Sequence, residues 1–575
     1  MSHQDRRSFL MPHRRPKQSH IRLRSEFITE QPAGMERLEA LRTARAAAPP
    51  VSGLAPYSGP WTREEVIHLL RRTMFGATRA DVDYFAGLTM EQSVNELLNA
   101  PYMQPDPPVN DYNSADFTDP DVPFGETWVD AFYSNDGEGY RVESLRAWWL
   151  RQMMGNKRSI REKMTLFWHN HLPVLFFDVF SGGHLYRYQR TLRENALGNF
   201  KTMMRAITLD PAMLYFLNGY VNSVYAPDEN YAREIQELFV IGKDLPQYYT
   251  EDDVKTAARL LTGWRISPSG FGMYFDPNEH DKEDKQFSAF YGNKLIQGQT
   301  GINGGGAELD AFLNMLFEHP EAARFICRKM YRFFIYHDID AQTEQNVIVP
   351  LAQILRDNQY ELLPTLEVLF KSEHFFDVLN RGAVIKSPIE MVVGFFRQMG
   401  VTLPGAADLT DTFYISYVTN YILSEMLQIP GDPPNVAGWQ AYYQKPALDK
   451  LWINSSTLPK RGQITEYMLF VGLAGANNVA IADVLGLAAS TSDPSDPDIL
   501  IEESHQLLFG LPVSNTVRDY HKAVLLNNLP SAYYWTVAWG AYLNNPTDPV
   551  IKGEVENRLK FLFHFMTQRE EYQLM

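Results

Sequence analysis

The chain is almost without cysteine. Cys327 is the only one in 575 residues, which excludes an internal disulfide and any zinc cluster built on cysteine. No run of eighteen or more apolar residues occurs, so no membrane-spanning helix is expected. Positive charge is in deficit, with 53 Lys and Arg against 69 Asp and Glu and a formal net charge of -16. Such a chain repels phosphate backbones, and nucleic acid is not an expected partner. There is no Gly-x-Ser-x-Gly elbow, so no serine nucleophile of that type is nominated. The stretch GINGGG (301–306) has neither the Walker lysine nor the dinucleotide fingerprint. It reads as a flexible loop. No repeat of fixed period is found.

What is present is a large, aromatic-rich interior. The chain is 45% hydrophobic, with 34 Phe, 30 Tyr and 10 Trp, ample for a buried core. Its start, DRRSFL (5–10), resembles the opening of a twin-arginine export signal. The basic, polar MPHRRPKQSHIRLRSEF follows where an apolar segment is required. Residues 1–60 therefore read as a basic, disordered arm and linker. From Thr62 apolar residues recur at helical spacing, as in TREEVIHLLRRTMFG. Further helical segments follow, among them IREKMTLFWHNH, LRENALGNFKTMMRAITLD, NYAREIQELFVIG and TEDDVKTAARLLTGW. Thr250 and Asp253 form a near capping box. The Gly- and aromatic-rich stretch 267–306 reads as an irregular excursion or a small hairpin. The expected fold is mainly α: a large multi-helical body with long irregular loops and at most a small β-hairpin. Residues 61–461 form its main domain, and 462–575 form a C-terminal helical region packed on it.

Four polar constellations interrupt this apolar pattern. The first is LFWHNHLPV (166–174). On a continuous helix His169 and His171 point about 200° apart and cannot share an ion. Pro173 ends the helix and gives His171 a way to swing free. Metal ligation and a helix end with packed histidines are both open, with Trp168 and Asn170 as neighbours. The second is NYAREIQELFVIG, where Asn230, Glu234 and Glu237 share a face beside the stripe of Tyr231, Ile235 and Leu238. Two carboxylates one turn apart bind a cation or divide acid and base roles. An Arg233–Glu237 surface ion pair is the bland alternative. The third is NEHDKEDKQF, with His280, Asp281 and Lys285 on a loop, either a site or a solvated charge run. The fourth joins GDPPNVAGWQ to WINSSTLPKR, where Asn435, Trp439 and Asn454 are pocket candidates and Gly438 permits close backbone approach.

The ordered series HLLRRTMFGAT, REKMTLFWHNH, DPAMLYFLNG, ENYAREIQELFVIG, YTEDDVKTAARLLTGW, the His-Asp pair at 280–281, HPEAARFICRKMYRFF, IKSPIEMVVG, PPNVAGW and WINSSTL resembles domain-of-unknown-function family 1800. The resemblance runs from about residue 64 to 461, and REEYQLM resembles the family's usual ending. Asp228 departs from the family's pattern, which has Asn there. The resemblance implies a large bacterial protein, often exported and often found beside a sulfatase-like or phosphatase-like partner. It implies no reaction.

Two functions follow as expectations. One is a metal-assisted hydrolase acting on an envelope polymer or conjugate. In it His169, His171, His280 and Asp281 hold a divalent ion, Glu234 or Glu237 serves as ligand or general base, and Arg233 holds an anionic substrate group. The other is a non-catalytic helical scaffold or binding protein of the cell envelope, whose polar motifs fix helix packing. A di-iron carboxylate site is disfavoured because the required Glu-x-x-His pairs are missing.

Overall fold

Helix starts follow local capping chemistry. Thr62 and Glu65 close a reciprocal capping box at the head of α1 (Arg63–Thr73). Ser387 and Glu390 do the same further along the chain, where Pro388 opens a helix whose missing N–H costs nothing. The computed structural model describes residue 43, residue 50 and residues 52–155, 157–243, 248–268 and 271–575. The architecture is mainly α, at 57% helix. The helices used below are α2 (Glu138–Met154), α3 (Arg161–His171), α4 (Gly182–Glu194), α5 (Asn230–Glu234), α6 (Glu251–Leu260), α7 (Gly304–Glu318), α8 (Pro320–Phe334), α9 (Pro388–Gln398), α10 (Leu409–Glu425), α11 (Thr457–Phe470), α12 (Pro497–Phe509), α13 (Asn515–Leu525), α14 (Tyr533–Asn544) and α15 (Pro549–Thr567).

Several boundaries differ from the sequence reading. The segment LRENALGNFKTMMRAITLD is not one helix. It breaks after Glu194 and restarts at Phe200, because the Asn199 side chain accepts the Thr202 N–H as a new N-cap. Gly304 to Gly306 are not a loop but the first turn of α7. A Cβ on Gly305 would sit 2.2 Å from the Phe275 ring, so glycine lets the helix pack flat on that ring. The stretch 267–306 holds most of two small antiparallel pairings, β1 (Trp264–Ile266) with β2 (Met273–Phe275) and β3 (Lys285–Gln286) with β4 (Leu295–Ile296). A third pairs β5 (Leu473–Ala474) with β6 (Val479–Ala480).

The arm expected over residues 1–60, with its arginine pair, lies almost wholly outside the described residues. Its last part is ordered against the body. Tyr57 donates its N–H to Lys371 at 2.8 Å, and Glu373 donates to Ala55 at 2.8 Å. One buried hydrophobic cluster runs from Val66 to Met575 and takes in both the 61–461 and the 462–575 regions. Within it, the Arg71 guanidinium of α1 donates to the carbonyls of Leu508 and Phe509 at the end of α12. Among the described residues no helix is long and apolar enough to cross a membrane.

Candidate functional site

Helix α3 is buried on every side from Glu162 to His171. It ends where the proline requires, since Leu172 leaves helical geometry. His171 is still the last helical residue, so the two imidazoles diverge instead of converging. The His169 Nδ1 lies 3.1 Å from the Tyr188 hydroxyl, which donates its one proton to the Leu172 carbonyl at 2.7 Å. Nδ1 must therefore be the donor to Tyr188. The ring is walled by Trp149, Phe176 and Trp439. His171 donates from Nε2 to the Phe239 carbonyl at 2.9 Å and packs among Phe167, Trp168, Phe200 and Phe325. Burial first, and then Arg146 for His169 and Lys329 for His171, pushes both rings down to about 3. Both are neutral core groups. Trp168 is equally internal and donates its indole N–H to Ala196.

Asn170 explains why two distant motifs occur together. Its Oδ1 accepts the backbone N–H of Trp439 at 2.8 Å. Gly438 turns with φ +86°, and a Cβ there would lie 2.3 Å from the Asn170 carbonyl oxygen and 2.5 Å from Oδ1. PPNVAGW is thus clamped onto the end of α3, with Trp439 buried at the joint. Arg146 of α2 completes the clamp, donating to the Pro430 carbonyl and pairing with Asp432. Asn435 and Asn454 prove to be turn formers. Asn435 accepts the Ala437 N–H, and Asn454 accepts those of Ser456 and Thr457 at the start of α11.

The His-Asp motif is also internal. Glu308 of α7, wholly buried, accepts from His280 Nε2 at 3.0 Å, from Lys285 Nζ at 2.8 Å and from the Gln299 N–H at 2.7 Å. Asp281 takes the guanidinium of Arg259 in a two-pronged pair, which holds its carboxyl below the usual range against the opposing effect of burial. Glu308 is the member that sequence reasoning missed, because GGGAELDAF gives no sign that a carboxylate there faces inward.

The second constellation also reaches solvent, and unlike the exposed turn formers Asn435 and Asn454 it presents ionisable groups there. Helix α5 passes into a π-helical stretch, Ile235–Val240, a rare form frequent at functional sites. The extra residue per turn moves the inward stripe from Leu238 to Phe239, so Ile235, Gln236, Phe239 and Val240 are buried while Glu234, Glu237 and Leu238 are half-buried. Arg233 does not pair with Glu237. It reaches Glu229 at 3.0 Å and Glu251 of α6 at 2.7 Å. Lys243 takes Glu237 instead, at 3.1 Å. Among the described residues Glu234 has no such ion-pair partner. Burial, and then the like charge of Glu237, pushes its carboxyl up to about 7. The Tyr249 phenol beside both carboxylates is likewise pushed up, by burial and by Glu237. Asn230, exposed, opens the helix with its N–H on Asp228.

The structure therefore unites Asn230, Arg233, Glu234 and Glu237 and keeps the other predicted residues apart from them. The link to the histidines is indirect: the Phe239 carbonyl that His171 grips belongs to the same π-helical stretch as Glu237. The divalent-ion set does not fit. The free nitrogens of His169 and His171 face aromatic rings, His280 is spent on Glu308 and Thr262, and Asp281 on Arg259. Among the described residues no group of three or more His, Cys, Asp or Glu is placed to hold a metal ion. Two concavities lined by described residues are of water size rather than substrate size, and Glu234 lines neither.

Comparison with family models matches residues 68–574 to the family described as "Protein of unknown function (DUF1800)". The match covers most of the chain, which belongs to that family. Neither the curated proteins nor the solved structures contain a match.

Proposed function

We propose that this member of the DUF1800 family is a hydrolase of an envelope polymer or conjugate, with Glu234 exchanging the proton and Glu237 as its charged neighbour. The observation that carries this reading is the carboxylate pair at the α-to-π junction: one member tied to Lys243, the other half-buried beside it and close to half-protonated at neutral pH. A carboxyl in that state supplies both forms that hydrolysis requires. The neutral form protonates the leaving oxygen or nitrogen as the bond to it breaks. The ionised form takes a proton from the attacking water. The pair stands on an open face, which suits an extended substrate better than an enclosed small molecule.

Arg233 is held by Glu229 and Glu251, so an anionic substrate group would compete with those two carboxylates for it. The cell-envelope setting and a sulfatase-like partner rest on the family resemblance. Among the described residues proposed as ligands, Glu234 and Glu237 are the two that a divalent ion could reach from solvent, a weak pair. The buried histidines and the His280–Glu308–Lys285 cluster are the frame that holds the junction in place.

The test is a panel of chromogenic esters, glycosides, amides and phosphodiesters assayed from pH 5 to 9. Turnover in one class, lost by about 10²–10⁴-fold in Glu234→Gln with a pH limb near 7, is the expected result. Activity that survives Glu234→Gln, or no turnover in any class, overturns it. The buried polar motifs favour a second reading, a helical scaffold in which Glu234→Gln changes no measurable function.

A further inference from the structure

The chain carries one long stretch without charge. From Ala523 to Thr547 there is no Asp, Glu, Lys or Arg, although 21% of the chain is charged. Helix α14 lies at its centre. One side of α14 is anchored: Trp535 and Trp539 are buried, and the Trp535 indole donates to the Pro494 carbonyl at 2.8 Å. The opposite side is not covered. Tyr533 is 68% exposed, Val537 47% and Leu543 61%. At 100° per residue, Tyr533, Val537, Gly540 and Asn544 form the outward stripe, flanked by Tyr534 and Ala541 on one side and by Thr536 and Leu543 on the other. A helix that is apolar all round belongs in an interior, and this one has an interior on one side only.

We propose that this face of α14 is a homodimer interface, in which two copies of the chain pair antiparallel about a twofold axis at Val537. The occupant follows from charge and shape. Each copy carries a net charge of -16, so two copies repel over most of their surfaces, and a neutral face is where that repulsion is least. A twofold axis also demands self-complementarity. Antiparallel pairing about Val537 keeps each flank facing itself, which sets Tyr533 of one copy against Gly540 of the other, and Tyr534 against Ala541. Each large ring meets a small residue, twice over. A Cβ built on Gly540 finds no atom within 4 Å, so the recess is open to receive a ring. A lipid surface fits less well, because the stretch offers no Lys or Arg to meet anionic headgroups.

The test uses the full chain. Light scattering at concentrations on the order of tens of micromolar is expected to give twice the 66.0 kDa chain mass. Val537→Glu buries two like charges at the axis and weakens association by at least on the order of 100-fold. Gly540→Leu fills the recess without adding charge and also yields monomer. Both substituted side chains point outward, so a far-UV circular dichroism spectrum matching the wild type, with cooperative melting, verifies folding. Register is read by cysteine. The native Cys327 is buried, so Val537→Cys crosslinks to its own copy under mild oxidation. Leu543→Cys does not, since its mate lies about 18 Å away along the axis. A monomeric wild type overturns the proposal. So does a dimer that survives Val537→Glu, crosslinking at Leu543→Cys but not at Val537→Cys, or a wild-type monomer that floats with neutral vesicles.

Discussion

Gly438→Ala is expected to be among the costliest one-methyl changes in this protein. At φ +86° an L side chain meets its own backbone, at a cost of about 1–2 kcal/mol. The added Cβ would also stand 2.3 Å from the Asn170 carbonyl oxygen and 2.5 Å from Oδ1, so α3 and the 438–439 turn must separate. That separation breaks the Asn170–Trp439 hydrogen bond and leaves a buried N–H unpaired, for a further ~1–3 kcal/mol. The sum, roughly 2–5 kcal/mol, is a large share of the ~5–15 kcal/mol that holds a domain folded. Urea unfolding followed by tryptophan fluorescence reads it, since Trp439 lies at the joint. The companion variant Asn170→Ala decides the mechanism. It removes Oδ1 but keeps the nearer backbone oxygen, so it should not rescue Gly438→Ala. A Gly438→Ala protein within 0.5 kcal/mol of wild type, or full rescue by Asn170→Ala, would refute the clamp.

The other expectations follow from the buried polar groups and the carboxylate pair. Glu234 is held near 7 in the folded chain against 4.5 when unfolded, so its contribution to stability falls as pH rises through that window. Discounted for its partial exposure, the effect is about 1–2 kcal/mol, and Glu234→Gln should flatten the upper limb of a melting-temperature-against-pH curve. The histidines act on the other limb. Held neutral down to about 3, His169 and His171 stabilise the fold above pH 6.5 and lose that contribution as pH falls below it. His171→Ala also empties an aromatic pocket and frees the Phe239 carbonyl, for a loss of roughly 3–5 kcal/mol in denaturant unfolding. Glu308→Ala takes the shared buried carboxylate from Lys285 and His280, leaving them Asp281 and Thr262, and should cost about 3–5 kcal/mol by the same assay. Elemental analysis should find any copurifying divalent metal unchanged by His169→Ala and reduced by Glu234→Ala with Glu237→Ala. Loss on His169→Ala alone would restore the histidine site.

What could be read from sequence was local. The Thr250–Asp253 capping box, the helix end before Pro173 and the loop-like turn at Asn435 depend on a few neighbouring residues, and each is present. The closeness of Glu234 to Glu237 also needed only helical spacing. The unread features are non-local. Nothing near Glu308 signals that Lys285 and His280 arrive from another segment to meet it. The π-helical stretch leaves the apolar period almost intact, shifting the buried position by a single residue. The histidines misled for a physical reason: His-x-His at a helix end looks like a ligand pair until the surrounding rings of Trp149, Trp439, Phe200 and Phe325, distant in sequence, are seen to enclose it.

The central claim is that Glu234 is the proton-exchanging group, and its titration is the most direct measurement. Carbon-13 NMR of the glutamate carboxyl signals, assigned through Glu234→Gln and followed from pH 4 to 9, should show the Glu234 resonance titrating near 7. Glu237→Gln should move that midpoint down, because removing the neighbouring charge favours ionisation. A midpoint in the ordinary range of about 4–5, unmoved by Glu237→Gln, would contradict the account.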